Sequence, residues 1–295
     1  MYRARSRLLL GMPHTQAGGL SEVALLAHVG DQRWIDLGAA TGTPASAQRD
    51  ADGFAVYASF YFVDLDGFAD AGLGVFGPGD EIEVVSTLRR FGRSMLDGEH
   101  AIYRAGVLPA ELPAELPPAP RVRLSNVFVR EGGGTDDLRI TAPANARLED
   151  IPPSSAEPDS YRLIKEARTR GSFFAAPEGA RPLWPTPHEV TYPINADRDV
   201  NGVGLVYFAN YVAFMDYAER RALEESGAYA ATALDGRRTL RRRIGYYGNA
   251  DRHDVLVVQV EATEMPGGRL LFHYRITRRA DGRLIAVSSA EKLLR

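Results

Sequence analysis

The chain has no cysteine, which removes disulfides, thiolate nucleophiles and Cys-ligated metals from consideration. Its six histidines form no HxH or HExxH cluster, so no metal centre is expected. A basic excess is missing too: the formal net charge is -3. Because a phosphate-binding surface shows as a basic stripe, neither nucleic acid nor an anionic membrane is expected as a partner. The run Arg237 to Arg243 is the local exception and reads first as a solvated strand or loop edge. No segment approaches the ~20 apolar residues of a membrane span, and the apolar run behind the basic N-terminus is shorter than a secretory signal needs. A cytoplasmic protein is expected.

What is present suits a soluble globular protein. With 295 residues, 45% apolar and 25% charged, the chain is long enough for two domain-sized cores. The most informative stretch is Asp199 to Arg221, DVNGVGLVYFANYVAFMDYAERR. A Gly-rich turn, Asn201 to Gly204, precedes a run in which Tyr207, Tyr211, Phe214, Met215, Tyr217 and Ala218 share helical spacing. The spacing predicts a helix starting close behind the glycines, with outward-pointing amides and a dipole suited to an oxyanion.

An earlier stretch repeats this order of features. After Gly18 and Gly19, LSEVALLAHVGDQRWIDLG reads as a helix with Leu20, Val23, Ala24, Ala27, Trp34 and Leu37 on one face. Strands follow each helix. Phe54 to Val63 alternates strictly, with Tyr57, Ser59 and Tyr61 on one face, and Ile82 to Leu88, Arg93 to Tyr103 and Arg121 to Arg130 continue the series. A Gly-rich turn is expected at 131–135. The second half supplies His188 to Ile194, Thr239 to Tyr247, Val255 to Ala262, Arg269 to Thr277 and Leu284 to Leu293. Pro-rich connectors lie at Pro109 to Pro120 and Glu149 to Ser160. The expected division is 1–145, a linker with a short helix at 146–181, and 182–295.

A strand, a Gly turn, a long apolar helix and strands that wrap it resemble the hot-dog fold, here an α+β double hot-dog in one chain. DVNGVGLVYFANY followed by FMDYAERR resembles the helix signature of acyl-CoA thioesterases, in which the second Asp of an Asp-Xaa-Asp turn is the catalytic carboxylate. That place falls on Asn201, which cannot act as a general base but can donate to a thioester or enolate oxygen. Over nearly its full length, through MPHTQAGGLSE, GDQRW, YASFYF, PGDEIEVVSTLRRFGRS and NGVGLVYFANY, the chain resembles the double hot-dog bifunctional acyltransferase/decarboxylase family of leinamycin biosynthesis. The resemblance implies that (methyl)malonyl-coenzyme A acylates a tyrosine, carbon dioxide leaves, and the propionyl group passes to an acyl carrier protein in polyketide assembly. No cofactor is implied beyond the coenzyme A of the substrate.

The acyl-accepting tyrosine should lie on YASFYF, as Tyr61 or Tyr57, with Asn201 as donor and Gly202 and Gly204 shaping the oxyanion turn. A phenol with a pKa near ~10 needs a base or a positive field to become a nucleophile, and His14, Glu22, Arg90 and Arg93 are the candidates. Two other functions fit the same sequence. A hot-dog thioesterase or dehydratase would need Asp199, Glu22 or His14 as its carboxylate or imidazole, whereas a non-catalytic acyl-thioester binder needs only the pocket. A homodimer through a sheet edge is a further expectation.

Overall fold

The structure, a computed structural model, describes residues 2–131, 138–227, 229 and 231–294. Ten principal strands and three helices carry the architecture: β1 (Tyr2–Leu9), α1 (Glu22–Thr41), β2 (Tyr57–Asp66), β3 (Glu81–Phe91), β4 (Met95–Arg104), β5 (Arg121–Glu131), α2 (Asp159–Arg170), β6 (His188–Pro193), α3 (Asn210–Ser226), β7 (Arg238–Tyr246), β8 (Val255–Met265), β9 (Arg269–Arg278) and β10 (Leu284–Leu293). The Gly-rich turn expected at 131–135 lies, from residue 132 on, outside the described residues. Among the described residues no helix is long and apolar enough to cross a membrane.

The strands form one antiparallel sheet in the order β1-β3-β4-β5-β2-β7-β10-β9-β8-β6, with Leu138–Ile140 added to β5 and Arg181–Pro182 to β8. Numbered within its own half, each set of five runs first, third, fourth, fifth, second from the outer edge to the middle. The halves therefore have the same topology and meet at their second strands. At this seam Val63 faces Ile244 and Phe62 faces Gly245. Each half is a long helix held against five antiparallel strands, so the chain is an α+β double hot-dog whose two sheets are fused edge to edge.

Both helices have legible ends. Ser21 caps α1 by accepting from the Ala24 amide at 3.4 Å, and Gly42 closes it in the left-handed region at φ 70°. Gly227 closes α3 at φ 64° in the same way. The buried face of α1 differs from the expected one. Leu25, Leu26, Val29 and Leu37 face inward together with Arg33 and Asp36, whereas Ala24 and Ala27 are only half-buried. The sequence pattern misplaces the face because two charged residues belong to it. On α3, Tyr211, Phe214, Met215 and Ala218 are buried as expected, while Tyr217 is exposed.

One apolar core joins the halves, with Leu25, Leu26 and Val29 of α1, Tyr211, Val212 and Phe214 of α3, Val63 of β2 and Ile244 of β7 in a single cluster. Each fully buried side chain of this size contributes about 1.5–3 kcal/mol. The Pro-rich connector is tied down through its carbonyls, which accept from Arg3 (Pro113, 2.7 Å), Arg5 (Pro109, 2.7 Å) and the Tyr103 hydroxyl (Pro117, 2.8 Å). The linker helix α2 lies over the seam, where Tyr247 donates to the Ile164 carbonyl at 2.7 Å.

Candidate functional site

A cavity of about 570 Å3 opens where the halves meet. Three elements frame it: the middle of α1 with Gly30, Asp31 and Trp34; the first residues of β2, Tyr57 to Tyr61; and the segment Asn201 to Phe208 ahead of α3. Tyr246, Tyr247, Gly248 and Asn249 close another side. Gly30 suits this close approach. A Cβ there would stand 2.6 Å from the Phe208 ring and 2.9 Å from the Tyr207 hydroxyl, so any larger residue would force these two side chains to shift.

The strict alternation expected of β2 breaks at Tyr61. Phe60 pairs with Asn126 and Phe62 with Ser125, which leaves Tyr61 as the extra residue of a β-bulge. The side chains on either side are consequently split. Phe60 stacks on Phe208 with ring centroids 3.9 Å apart, and Phe62 packs edge-on against Phe173. Tyr61 contributes to the cavity wall, is 8% exposed, and has its hydroxyl 3.0 Å from Ser160 Oγ on α2. Burial raises the Tyr61 pKa above that of a free phenol. Tyr57, half-buried, is paired with Val129 of β5 and also lines the cavity.

The segment before α3 folds differently from the expected helix entry. The helix begins at Asn210, six residues beyond Gly204. In between, the chain doubles back: the Asn201 amide donates to the Leu205 carbonyl at 2.8 Å, the Gly204 amide to the Asn201 carbonyl at 2.9 Å, and Val200 bridges Val206. The Asn201 Oδ1 accepts from the Val203 and Leu205 amides, both at 3.1 Å. These two amides, expected to face an oxyanion, are thereby consumed by the turn itself. The NH2 end of Asn201 is the part left to meet a ligand. Gly202 lines the cavity beside it, and Gly204, at φ 81°, serves the turn.

The remaining candidates lie elsewhere. Glu22 is buried against Arg242 and accepts from Thr239 Oγ1 at 2.6 Å. His14 Nδ1 accepts from the Gly11 amide at 3.0 Å. Arg90 donates to the Ile151 carbonyl at 3.0 Å and fastens the linker to β3, while Arg93 is exposed in the β3–β4 turn. Asp199 is caged at 1% exposure by the Asn195 amide (2.9 Å), Tyr192 (3.3 Å) and Arg198 (2.8 Å).

Several cavity groups were not singled out by sequence reasoning. Asp31 places a carboxylate on the wall. The Tyr211 hydroxyl and the Asn249 Nδ2, on residues 2% and 9% exposed, have no hydrogen-bond partner among the described residues. The Ala250 amide lies near the Tyr211 hydroxyl without meeting hydrogen-bond geometry. Buried polar groups are normally satisfied, so such a pair facing a cavity is suited to a polar ligand. Tyr211 counted in the sequence only as part of an apolar helix face, and nothing in the pattern around Asn249 marked it.

The internal symmetry gives this cavity a counterpart. The middle of α3 (Asp216, Tyr217, Arg220), the first residues of the β7 strand region (Arg237, Thr239) and the segment before α1 (Gln16, Ala17) frame a second, smaller cavity of about 360 Å3. Beside it Arg242 pairs with Glu22 and with Asp216 (3.2 Å), Lys292 with Asp216 (2.7 Å) and Glu219 (2.8 Å), and Arg237 with Glu219 (2.7 Å). One seam position is a pocket lined by aromatics, and the other is a smaller cavity bordered by paired charges.

A protein-family model described as the LnmK N-terminal hot-dog fold domain matches residues 13–175. No curated protein matches. Among solved structures, an acyl-ACP thioesterase from Bacteroides thetaiotaomicron superposes with a TM-score of 0.62 at 11% identity, covering 98% of this chain and 97% of its own. The 12:0-ACP thioesterase from Umbellularia californica gives 0.54 at 12% identity, with 99% and 98% covered. At such identities these likenesses concern the fold alone. The family match takes in more than half of the chain, from the segment before α1 through α2, and the chain therefore belongs to the LnmK N-terminal hot-dog fold family.

Proposed function

We propose that the seam cavity takes (methyl)malonyl-coenzyme A and that the protein is an acyltransferase/decarboxylase charging an acyl carrier protein. The observation that carries this reading is the meeting in one cavity of Tyr57 and Tyr61 from one half with Asn201 from the other. Tyr61 Oη attacks the thioester carbonyl, the C–S bond breaks, and coenzyme A leaves as its thiol once protonated. Loss of carbon dioxide from the acyl-tyrosine leaves an enolate. The Asn201 NH2 group donates to the enolate oxygen, and a donor so placed is worth roughly 3–4 kcal/mol. After protonation of the enolate carbon, the carrier protein's thiol takes the propionyl group and restores the phenol. No cofactor enters beyond the coenzyme A of the substrate.

A second reading rests on Asp31, whose carboxylate on the cavity wall is available as general base for direct hydrolysis of an acyl thioester. Intact mass after incubation with methylmalonyl-coenzyme A separates the two. A propionyl increment that is absent from Tyr61→Phe, and passes to added carrier protein, is the expected result. Free coenzyme A with intact methylmalonate identifies hydrolysis instead, and saturable binding without turnover identifies a binder. Asn201→Asp retains the Oδ1 that holds the turn but loses the donor, so it should melt near the parent temperature while turnover falls by roughly 100- to 1000-fold.

A further inference from the structure

The Tyr61 hydroxyl starts a line of buried groups that ends in a carboxylate. Ser160 Oγ is 3.0 Å from Tyr61 Oη, Ser125 Oγ is 3.0 Å from Ser160 Oγ, and Ser125 Oγ is 2.6 Å from Asp97 Oδ1. Both serines are fully buried. Arg123 grips the Asp97 carboxylate, with Nε 3.2 Å from each oxygen and Nη2 3.1 Å from Oδ2, and its Nη1 also reaches Asp159. The four groups come from different parts of the chain: Tyr61 from the β2 bulge, Ser125 and Asp97 from adjacent strands, and Ser160 from the linker helix.

The direction of this chain follows from counting protons. A carboxylate paired with a guanidinium can only accept, so Ser125 spends its one hydrogen on Asp97. Ser125 must then accept from Ser160, and Ser160, its own hydrogen used, must accept from Tyr61. Every hydroxyl donates toward Asp97. A bulge that merely satisfied the Tyr61 hydroxyl would need a single acceptor, whereas here the bonds are aligned for a proton to move one step at each link.

We propose that Asp97, acting through Ser125 and Ser160, receives the Tyr61 proton as Tyr61 is acylated. This rests on the reading of Tyr61 as the acyl acceptor. As the Tyr61 oxygen bonds to the thioester carbon, its proton passes to Ser160, the Ser160 proton to Ser125, and the Ser125 proton to Asp97. The leaving thiolate is reprotonated from solvent, and the acid form of Asp97 releases its proton when the cycle resets. Asp97, Ser125 and Ser160 touch no substrate atom and are positioning residues. Burial of the phenol makes such an acceptor necessary, since the protonated form dominates at neutral pH. The charged groups around the line are Arg123 and Asp159 beside Asp97, with Asp64 and Arg243 as a separate pair at 3.0 Å on the neighbouring strands.

The test compares Asp97→Asn, Ser160→Ala and Ser160→Thr in the full chain. Rapid-quench mass measurement gives the acylation rate with methylmalonyl-coenzyme A, and labelling of Tyr61 by N-acetylimidazole gives its nucleophilicity independently of any natural substrate. Positioned proton acceptors are worth roughly 100- to 10,000-fold, so Asp97→Asn and Ser160→Ala should slow both reactions at least about 100-fold. The KM for the thioester should stay within about threefold, and Ser160→Thr, which keeps a hydroxyl, should recover most of the rate. Parental rates in Ser160→Ala, or a loss in Ser160→Thr equal to that in Ser160→Ala, overturn the relay. If methylmalonyl-coenzyme A leaves Tyr61 unmodified while N-acetylimidazole labelling still depends on Asp97 and Ser160, the relay stands and the acyltransferase reading fails. Thermal melts of each variant identify any slowing that is only misfolding.

Discussion

Replacing Glu22 by Gln should cripple stability and spare chemistry. Glu22 and Arg242 are 3% and 0% exposed, and their network holds three cations, Arg237, Arg242 and Lys292, against three anions, Glu22, Asp216 and Glu219. Glu22→Gln leaves three against two beside an Arg242 guanidinium that is wholly buried. Breaking a buried pair from one side costs about 3–5 kcal/mol. At about 2–4 °C per kcal/mol, thermal unfolding followed by circular dichroism should show a loss of roughly 6–20 °C. Glu22→Leu with Arg242→Met removes both partners and should recover most of that loss, because well-packed apolar replacements of buried pairs are often neutral. Acylation per folded molecule should be within about twofold of the parent, since neither residue lines the aromatic cavity. A variant that melts within about 2 °C of the parent, or one that keeps its melting point and loses acylation, refutes the assignment of Glu22 to structure.

Two more outcomes follow from the N-terminal half. His100 is wholly buried with Arg33 Nη2 3.3 Å from its Nε2 and Ser86 Oγ 2.8 Å from its Nδ1, and burial first, then Arg33, holds its pKa well below 6.5. The unfolded chain therefore takes up a proton that the folded one refuses. Stability should be level above about pH 7 and fall by up to about 1.4 kcal/mol per pH unit below about 6.5. Urea midpoints at pH 7.5 and 5.5 measure this slope, and His100→Gln should reduce it. Gly98→Ala, ordinarily helpful in a strand, should instead cost more than about 2 kcal/mol. Its Cβ would lie 2.0 Å from the Thr87 carbonyl oxygen and 2.6 Å from Arg33 Nη2, and an unchanged urea midpoint would show that β3 and β4 can give way there.

How much could be read from the sequence depends on how local the cause is. The two helices, the strand series and the Pro-rich connectors follow from periodicity and backbone restriction, and the structure contains them. The inward face of α1 escaped because Arg33 and Asp36 are buried there by contacts from β4 and β1, which no local pattern records. The helix start at Asn210 was misplaced for a related reason. Asn201 folds its own side chain onto two downstream amides, and a Gly-rich turn looks the same in sequence whether its amides are free or taken. Tyr57, Tyr61, Asn201 and Gly202 meet in one cavity, whereas Glu22, His14, Arg90 and Arg93 do not line it. Ser125, Ser160 and Asp97 carry no motif at all. They become visible only where a bulge turns Tyr61 toward a helix 99 residues further along the chain.

The fused seam has a consequence for how such a protein can change. In a dimer of identical subunits, every substitution is made twice, so a charge placed in one interface pocket appears in its mate. Covalent duplication removes that constraint. Here one of two equivalent positions is an aromatic-walled pocket and the other is a smaller cavity bordered by the ion pairs of Glu22, Arg242, Asp216, Lys292 and Glu219. The two halves are free to specialise, one position for contact with ligand and one for cohesion, at no dependence on protein concentration. A substitution that would be lethal in a symmetric pair can be tried on one side alone.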